Sequence, residues 1–344
     1  MAEHSWPEVL SGLIARDNLT ASQTTWAMGE ILAGAATPAQ IAGFAVLLRA
    51  KGETIDEVDG LIEAMYAQAT PLPITGRVLD VVGTGGDRSF SVNISTMAAI
   101  VAAGAGVTVV KHGNRSASSK AGSADVLEKL GIRLDLPAAS VARVAQDAGI
   151  TFCFAAAFHS ALRHAAVARS ELGVGTTFNF LGPMANPAKP EAQAIGCADL
   201  LMAPVMAGVF ARRGVDAWVF RGDDGLDELT TTTTSQVWAV SGGVVTTSTI
   251  DAAALGIPRG TTEGLRGGDA DHNADVVRRL LAGETGPIRD AVVLNAGAAL
   301  AVHAAEAGSL EDRLVTGIAR ATDALDTGSA KATMDRWVEA SSRG

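Results

Sequence analysis

The sequence predicts an α/β protein with a small all-helical domain and a larger α/β domain, in which helices cover a mostly parallel central sheet. Three observations predict this fold class. Helix-start signals recur over about the first 70 residues, with no strand-like run between them. After Arg77, short β-branched runs alternate with alanine-rich helical windows, and the last part of the chain is helical again. Such alternation is typical of a parallel sheet with helices on both faces.

Capping patterns predict where the N-terminal helices begin. At Ser5, Thr20, Thr37 and Thr54 a hydroxyl side chain precedes a Glu or Gln by three positions. In this pattern the hydroxyl and the acid or amide each bind a free backbone N–H group at the start of a helix. Two prolines in the sequence PLP at residues 71–73 then end the helical part.

The rest of the chain contains the predicted strands and helices of the α/β domain. The strands are expected at residues 78–82, 107–110, 151–154, 192–196, 217–221 and 236–240. The helices are expected at residues 96–103, 123–130, 140–148, 159–172, 204–213, 270–281, 288–307 and 310–325. In such a sheet the ligand binds outside the carboxyl ends of the strands.

A glycine-rich loop follows the first predicted strand. The sequence GTGGD occupies residues 83–87, and three glycines in four positions allow backbone N–H groups to approach a ligand closely. Ser91, Asn93, Ser95 and Thr96 then lead into an apolar helical window. The start of a helix offers free N–H groups and a partial positive charge, which suit an anion. Taken alone, the glycine cluster is also compatible with a simple turn.

A cationic loop follows the second predicted strand. The sequence KHGNR at residues 111–115 is followed by Ser116, Ser118, Ser119 and Ser123. Alone, this segment is also compatible with an exposed basic turn. Because both loops follow β-like runs of one predicted sheet, together they indicate a site for a large, multiply charged phosphate ester.

Composition disfavours several other classes of protein. The formal net charge is −10, and an acidic surface does not attract nucleic acid or an anionic membrane. The longest apolar run, at residues 97–110, is too short to span a bilayer, and the N-terminus shows no signal-peptide pattern. Cys153 and Cys197 lie in apolar contexts and are expected to be buried thiols of a reducing compartment. We therefore expect a cytoplasmic protein with no nucleic-acid or membrane partner.

The ordered motifs resemble those of the anthranilate phosphoribosyltransferase family. They read GTGGD, SVNIST, KHGNRSASSKAGSADVLEKLG, RHAAVARSELG, TFNFLGPMANPA and GDDGLDE. The resemblance implies transfer of the 5-phosphoribosyl group of phosphoribosyl diphosphate (PRPP) to the amine of anthranilate, with release of diphosphate, in tryptophan biosynthesis. It also implies a homodimer formed through a helical domain of residues 1–73 with a segment near 170–190. Residues 74–169 and 191–344 then form the PRPP-binding α/β domain.

The resemblance also implies site residues and a magnesium ion. Anthranilate is expected to contact Gly83, Asn114 and Arg169, and Mg²⁺ to bind Ser95, Asp227 and Glu228, since magnesium prefers a few hard oxygen ligands. No catalytic side chain is assigned, because the aromatic amine is already a free nucleophile. The expected PRPP-binding residues are Gly83, Gly86, Asp87, Ser91, Asn93, Ile94, Ser95, Thr96, Lys111, His112, Gly113, Asn114, Arg115, Ser116, Ala117, Ser118, Ser119 and Ser123.

Two of these assignments have simpler alternatives when the resemblance is set aside. The acidic segment at residues 223–228 is compatible with a solvated turn, and Arg169 with an exposed helix arginine that pairs with Glu171. The chain departs from the family pattern at residues 155–160, where the family usually has prolines, and at Leu162, where a larger residue is common. These departures concern the acceptor entrance more than the donor pocket.

Two other functions remain as alternatives. A pyrimidine-nucleoside phosphorylase of the same fold would carry a different glycine-rich, lysine-bearing pattern in place of KHGNRSASS and would lack the DGLDE acidic pair. A non-enzymatic relative that binds nucleic acid would need a basic face, which a net charge of −10 disfavours.

Overall fold

A computed structural model describes residues 4–115 and 120–343. These residues form an N-terminal group of helices and a seven-stranded sheet covered by helices, so the predicted fold class is confirmed. The strands are β1 Val78–Gly83, β2 Thr108–Gly113, β3 Ile150–Phe154, β4 Ala192–Gly196, β5 Asp216–Gly222, β6 Thr234–Ser241 and β7 Val244–Asp251.

The described helices extend over both ends of the chain and between the strands. In the N-terminal part they are α1 Trp6–Ile14, α2 Ala21–Leu32, α3 Pro38–Lys51 and α4 Ile55–Gln68. Among the strands they are α5 Ile94–Gly104, α6 Ser123–Lys129, α7 Ala138–Ala148, α8 Ala155–Phe158, α9 Arg163–Leu172, α10 Phe178–Met184 and α11 Met202–Arg213. The last four are α12 Ala270–Leu281, α13 Pro287–Ala304, α14 Leu310–Asp326 and α15 Ser329–Ser342.

Three of the four predicted capping boxes are present. Thr20, Thr37 and Thr54 each accept a backbone N–H, and the Gln or Glu three positions later binds back to the capping residue. The helix start predicted at Ser5 is confirmed, since Ser5 is the N-cap of α1, but its side chain makes no capping hydrogen bond. The Glu8 carboxylate does not bind back to Ser5 and instead accepts a hydrogen bond from Gln23 of α2.

The order of the strands creates a crevice beside β1. The order is β3-β2-β1-β4-β5-β6-β7, with parallel pairing from β3 to β5 and antiparallel pairing of β6 and β7. The chain moves outward in one direction from β1 to β2 and β3, and in the other direction from β4 onward. Ligands of open α/β sheets bind at such a reversal point, outside the carboxyl ends of the strands.

Two hydrophobic cores lie on opposite faces of the sheet. In β5, Trp218 and Phe220 belong to one core, while Ala217 and Val219 belong to the other. This alternation arises because successive side chains of a strand point to opposite faces. Helices α5–α7 and α12–α15 contribute to the first core, and α1–α4 together with α9–α11 contribute to the second.

The main differences from the predicted elements have local explanations. The predicted helix at 159–172 is interrupted, because His159 lies in a turn between α8 and a short 3-10 segment and its buried Nε2 pairs with the Ala185 carbonyl. Strand β2 continues three residues past the predicted end. Strand β7 was not predicted; it follows a Gly242-Gly243 hairpin turn, and its Thr and Val residues are mostly exposed. Helices α10 and α15 were also not predicted, and α10 contains Pro183.

Two further predictions concern the thiols and the membrane. Cys153 and Cys197 are free and buried, as predicted, and burial raises the pKa of both thiols, that of Cys197 to about 12. Among the described helices, none combines the length and the apolar character required to cross a bilayer.

The crossing of α13 and α14 generates a stability prediction. A Cβ atom added to Gly317 would lie 2.0 Å from the carbonyl oxygen of Gly297, so the two backbones leave no space for a side chain. We expect Gly317→Ala to lower the free energy of unfolding by about 1–3 kcal/mol, as overpacking does, in urea and thermal unfolding. Gly29→Ala in α2 is the matched control, since among the described residues no heavy atom lies within 4 Å of the added Cβ. Equal stability of the two variants would contradict the prediction.

Candidate functional site

The carboxyl ends of β1 and β4 meet an acidic loop, residues 223–228, that follows β5. The backbone of Asp227 passes directly over these strand ends. A Cβ atom at Gly196 would lie 1.5 Å from the Asp227 carbonyl oxygen, and one at Gly83 would lie 2.3 Å from its Oδ2. Glycine at both strand ends is therefore the condition for the acidic loop to reach the crevice.

Asp227 and Glu228 connect the acidic loop to the glycine loop and to the start of α5. Oδ2 of Asp227 accepts the N–H of Gly85 at 2.7 Å, and Oε1 of Glu228 accepts the N–H of Ser95 at 3.1 Å. Desolvation, followed by the nearby charge of Asp87, raises the pKa of Asp227 to about 8. Desolvation and the charge of Asp227 raise the pKa of Glu228. Neighbouring carboxyl groups whose pKa values are raised by burial and by one another favour a nearby cation.

The residues predicted to bind magnesium lie together in this arrangement. Glu228 contacts the backbone of Ser95, and Asp227 directly precedes Glu228 in the acidic loop. Within residues 4–115 and 120–343, no group of three or more His, Cys, Asp or Glu is arranged as a complete metal site. The donor set of two carboxylates and a hydroxyl fits a hard ion that keeps several of its own water molecules.

Lys111 is buried between β1 and the start of α5. Its side chain is buried, and its Nζ donates to the Val81 carbonyl at 2.5 Å and to the Ser95 hydroxyl at 3.3 Å. Desolvation lowers the pKa of Lys111, while the charges of Asp80, Glu228 and Asp227 oppose this shift. The positive charge of Lys111 therefore stabilises the ionised carboxylates of Asp80, Asp227 and Glu228.

Asp87, the last residue of the glycine loop, and the two serines that follow it form a short chain of hydrogen bonds. The Asp87 carboxylate accepts the Ser89 hydroxyl at 2.6 Å, and the Ser89 hydroxyl lies 3.2 Å from that of Ser91. Gly85 and Gly86 have φ values of 68° and 86°, which favour glycine. These contacts orient Asp87 and Ser91 beside the acidic loop.

Helix α5 begins at the floor of the crevice. Its N-cap residue, Asn93, accepts the N–H of Thr96 through its carbonyl at 3.1 Å. Ile94 and Thr96 are buried, and the Thr96 hydroxyl has no hydrogen-bond partner among the described residues. The free N–H groups of this first turn are suited to an anion, and one of them already binds Glu228.

The second predicted loop is described only in part. Gly113 ends β2, Ser123 begins α6, and Oδ1 of Asn114 accepts the N–H of Arg115 at 2.8 Å. The predicted residues Ser116, Ala117, Ser118 and Ser119 lie outside the described residues. The guanidinium of Arg115 pairs with Asp125 at 2.9 Å and Glu128 at 2.6 Å on α6. In this arrangement Arg115 is directed toward α6.

His112 belongs to a buried polar network that the sequence analysis missed in part. Its backbone N–H donates to Asp80 at 3.0 Å, and the other Asp80 oxygen accepts from Asn186 at 2.9 Å. Desolvation raises the pKa of Asp80 to about 6, although the charge of Lys111 and these hydrogen bonds oppose the shift. An acid inside an apolar strand was the signal for Asp80, and the MANPA motif was the signal for Asn186.

The ring of His112 lies against a second histidine. Its Nδ1 pairs with the Gly182 carbonyl at 2.8 Å, and its centroid lies 5.3 Å from that of His159. Nε2 is buried and has no partner among the described residues. Desolvation and His159 lower the pKa of His112 to about 3, so the ring is neutral at pH 7.

Arg169 is a half-buried cation on α9. Its guanidinium carbon lies 5.6 Å from the ring centroid of Phe178, and desolvation lowers its pKa. The alternative ion pair with Glu171 is not formed, and no other carboxylate pairs with Arg169 among the described residues. A guanidinium without a counter-charge and partly removed from water is suited to a carboxylate ligand.

Two domain families match most of the chain. A glycosyl transferase family, helical bundle domain, matches residues 7–69, and a glycosyl transferase family, a/b domain, matches residues 75–331. A relative from Nocardioides sp., named anthranilate phosphoribosyltransferase, is 70% identical over 339 residues, which cover 98% of this chain and 99% of the relative. A relative of the same name from Salinispora arenicola is 57% identical and covers 98% of this chain and 97% of the relative.

Solved structures show the same fold. The anthranilate phosphoribosyltransferase from Thermus thermophilus has a TM-score of 0.90 at 39% identity, covering 97% of this chain and 99% of that chain. The anthranilate phosphoribosyltransferase from Saccharomyces cerevisiae in complex with PRPP and Mg has a TM-score of 0.90 at 22% identity, covering 100% of this chain and 99% of that chain. The yeast likeness concerns the fold.

The buried ring of His112 generates a prediction about pH. The pKa of His112 is lowered from 6.5 in the unfolded chain to about 3 in the folded protein. Between these two pH values the folded protein therefore binds fewer protons than the unfolded chain. The contribution of His112 to the free energy of unfolding is therefore fully present above pH 6.5 and is lost as the pH falls below 6.5. His112→Asn keeps a donor toward Gly182 and removes the titrating ring. We expect the stability difference between wild type and variant to change by up to about 1.4 kcal/mol per pH unit below pH 6.5.

Urea unfolding between pH 7 and pH 4.5 measures this difference. His164→Asn, which removes an exposed histidine of α9, is the matched control. Parallel profiles for wild type and His112→Asn would contradict the assignment of a neutral, buried ring.

Proposed function

Because the chain belongs to the anthranilate phosphoribosyltransferase family, we propose that it transfers the 5-phosphoribosyl group of PRPP to the amine of anthranilate. The reaction releases diphosphate and yields N-(5-phosphoribosyl)anthranilate, a step of tryptophan biosynthesis. One observation in particular supports the proposal. The glycine loop, the start of α5 and the acidic pair Asp227 and Glu228 meet where the strand order reverses. This is where a sugar diphosphate and its metal ion need to be bound together.

The donor site would stabilise the departing diphosphate. Glycine-loop N–H groups and the first turn of α5 are placed to bind phosphate oxygens. Hydrogen bonds through Ser89 hold Asp87 and Ser91 beside the acidic loop. Ser95, Asp227 and Glu228 would hold Mg²⁺, which when bound neutralises the charge of the diphosphate. The charge of buried Lys111 favours the ionised forms of Asp227 and Glu228, which are the forms that bind a metal ion.

The acceptor site would hold the carboxylate of anthranilate. Arg169 supplies a guanidinium with no carboxylate partner among residues 4–115 and 120–343, and Gly83 and Asn114 stand at the ends of adjacent strands β1 and β2. As the amine lone pair forms the new N–C1 bond, the C1–O bond breaks, and its electron pair leaves with diphosphate. The nitrogen then releases one proton. Positioning and electrostatic stabilisation account for this chemistry, so no side chain has to act as a general base.

The proposal extends to assembly and location. Residues 1–73, with the segment near 170–190, would form a helical domain that makes a homodimer, and residues 74–169 and 191–344 would form the PRPP-binding domain. Helices α2–α4 contact α9 and α10, which supports grouping these segments. Two buried free thiols support a cytoplasmic protein, and a net charge of −10 disfavours a nucleic-acid or membrane partner. A nucleoside phosphorylase activity is not favoured, since the relatives reported above are anthranilate phosphoribosyltransferases.

Anthranilate fluorescence provides the test of function. With PRPP and Mg²⁺ the protein should consume anthranilate, and Asp227→Asn should lower kcat/KM by roughly 100-fold or more, since it removes charge from the ion site. Asp223→Asn is the matched control, because this exposed residue of the same loop binds the hydroxyl of Thr234 instead. A protein that splits pyrimidine nucleosides with phosphate but leaves anthranilate unchanged would disprove the proposed function.

Arg169→Ala tests the acceptor site separately. Loss of a charge-assisted pair should raise the KM for anthranilate by roughly 10- to 100-fold while the KM for PRPP changes little. Arg163→Ala on the same helix is the control, because Arg163 is exposed and bonds the Ser160 carbonyl. Equal increases in both KM values would place Arg169 outside the acceptor site.

A further inference from the structure

A chain of side-chain amides connects α12 to the start of α5. Asn273, near the start of α12, is 3% exposed and accepts the Gly268 N–H through Oδ1 at 2.8 Å. Its Nδ2 donates to Oδ1 of Asn93 at 2.9 Å. Nδ2 of Asn93 in turn donates to the Ala121 carbonyl at 3.2 Å. Three segments that are far apart in sequence therefore meet at two amide groups.

The two ends of this chain determine its direction. An asparagine amide can be turned by 180°, and the surrounding hydrogen bonds decide which way it lies. The first group, the Gly268 N–H, can only donate, so Asn273 must present its oxygen there and its nitrogen to Asn93. The last group, the Ala121 carbonyl, can only accept, so Asn93 must present its nitrogen there. Each contact agrees with the next only in this orientation.

The orientation matters because Asn93 belongs to the predicted PRPP site. Its Nδ2 carries two hydrogens, and only one of them has a recipient among the described residues. The remaining N–H is a donor, which an anionic ligand favours, whereas a turned amide would present its oxygen and repel phosphate. The segment before α12 also contacts the segment that leads from the glycine loop to Asn93, because the N–H of Gly267 donates to the Phe90 carbonyl at 2.8 Å.

We propose that Asn273 is a positioning residue of the donor site, which fixes the Asn93 amide with its nitrogen available to an oxygen of PRPP. This inference rests on the proposed function. Asn273 is far from the glycine loop in sequence and is absent from the predicted site residues. It acts through Asn93, and its effect should therefore concern the phosphoribosyl donor and not the aromatic acceptor.

Steady-state kinetics of Asn273→Ala test the proposal. We expect the KM for PRPP to rise by roughly five- to tenfold, as for loss of an orienting hydrogen bond, while the KM for anthranilate stays within about twofold. Asp269→Ala is the matched control, because Asp269 caps the same helix through the His272 N–H at 2.9 Å and does not contact Asn93. It should lower the melting temperature and leave both KM values unchanged.

A double-mutant cycle separates positioning from general loosening of α12. If Asn273 acts through Asn93, adding Asn273→Ala to Asn93→Ala should raise the KM for PRPP no further. Multiplying effects, or equal increases in both KM values for Asn273→Ala, would overturn the proposal. If Asn273→Ala does not fold, Asn273→Asp serves instead. It keeps the side-chain size and the oxygen that accepts the Gly268 N–H, but it replaces the donor to Asn93 Oδ1 with a second oxygen, which repels Asn93 Oδ1. A normal KM for PRPP in that variant would also overturn it.

The outcome is distinguishable from failure of the proposed function. Activity of the unmodified protein with PRPP, anthranilate and Mg²⁺ decides the function before any variant is compared. The ratio of the two KM values in the Asn273 variants then decides the positioning role alone.

Discussion

The site depends on holding two carboxyl groups, half-buried Asp227 and buried Glu228, against the ends of a sheet. Removing charge from water is costly unless hydrogen bonds and opposite charges compensate for it. Here the Gly85 and Ser95 N–H groups each bind one carboxylate, and buried Lys111 lies on the other side. The compensation is incomplete, since the pKa of Asp227 is still raised to about 8. An arrangement that is short of positive charge in this way is suited to a cation and, beside it, to a polyphosphate.

The fold brings these groups together through the order of its strands. Strands β1 and β4 are neighbours in the sheet although helices and two other strands separate them in sequence. Their carboxyl ends carry Gly83 and Gly196, and both lack the Cβ atom that would collide with the acidic loop. The same edge receives the end of β2, where His112 and Asn114 stand, and the start of α5. Loops from distant parts of the sequence thus share one crevice supported by a rigid sheet.

Local patterns predicted much of this structure. The helix starts at Thr20, Thr37 and Thr54 and the predicted strands reappear, because capping and β-branched runs act over a few residues. Predictions failed where a distant contact competed with the local signal. The Glu8 carboxylate binds Gln23 instead of completing a capping box. His159, which pairs with the Ala185 carbonyl, lies where the predicted helix is interrupted.

By itself, the sequence determined the fold class, the glycine loop, the acidic pair and the family motifs, since each is a short pattern whose meaning lies in neighbouring residues. Only the tertiary structure decided which groups act on one another. It buried Lys111 near the acidic residues, directed Arg115 toward α6, gave Arg169 no carboxylate partner within the described part of the chain and joined Asn273 to Asn93. The physical reason is that charge interactions and hydrogen bonds depend on distance and burial, which arise only when separate segments pack together.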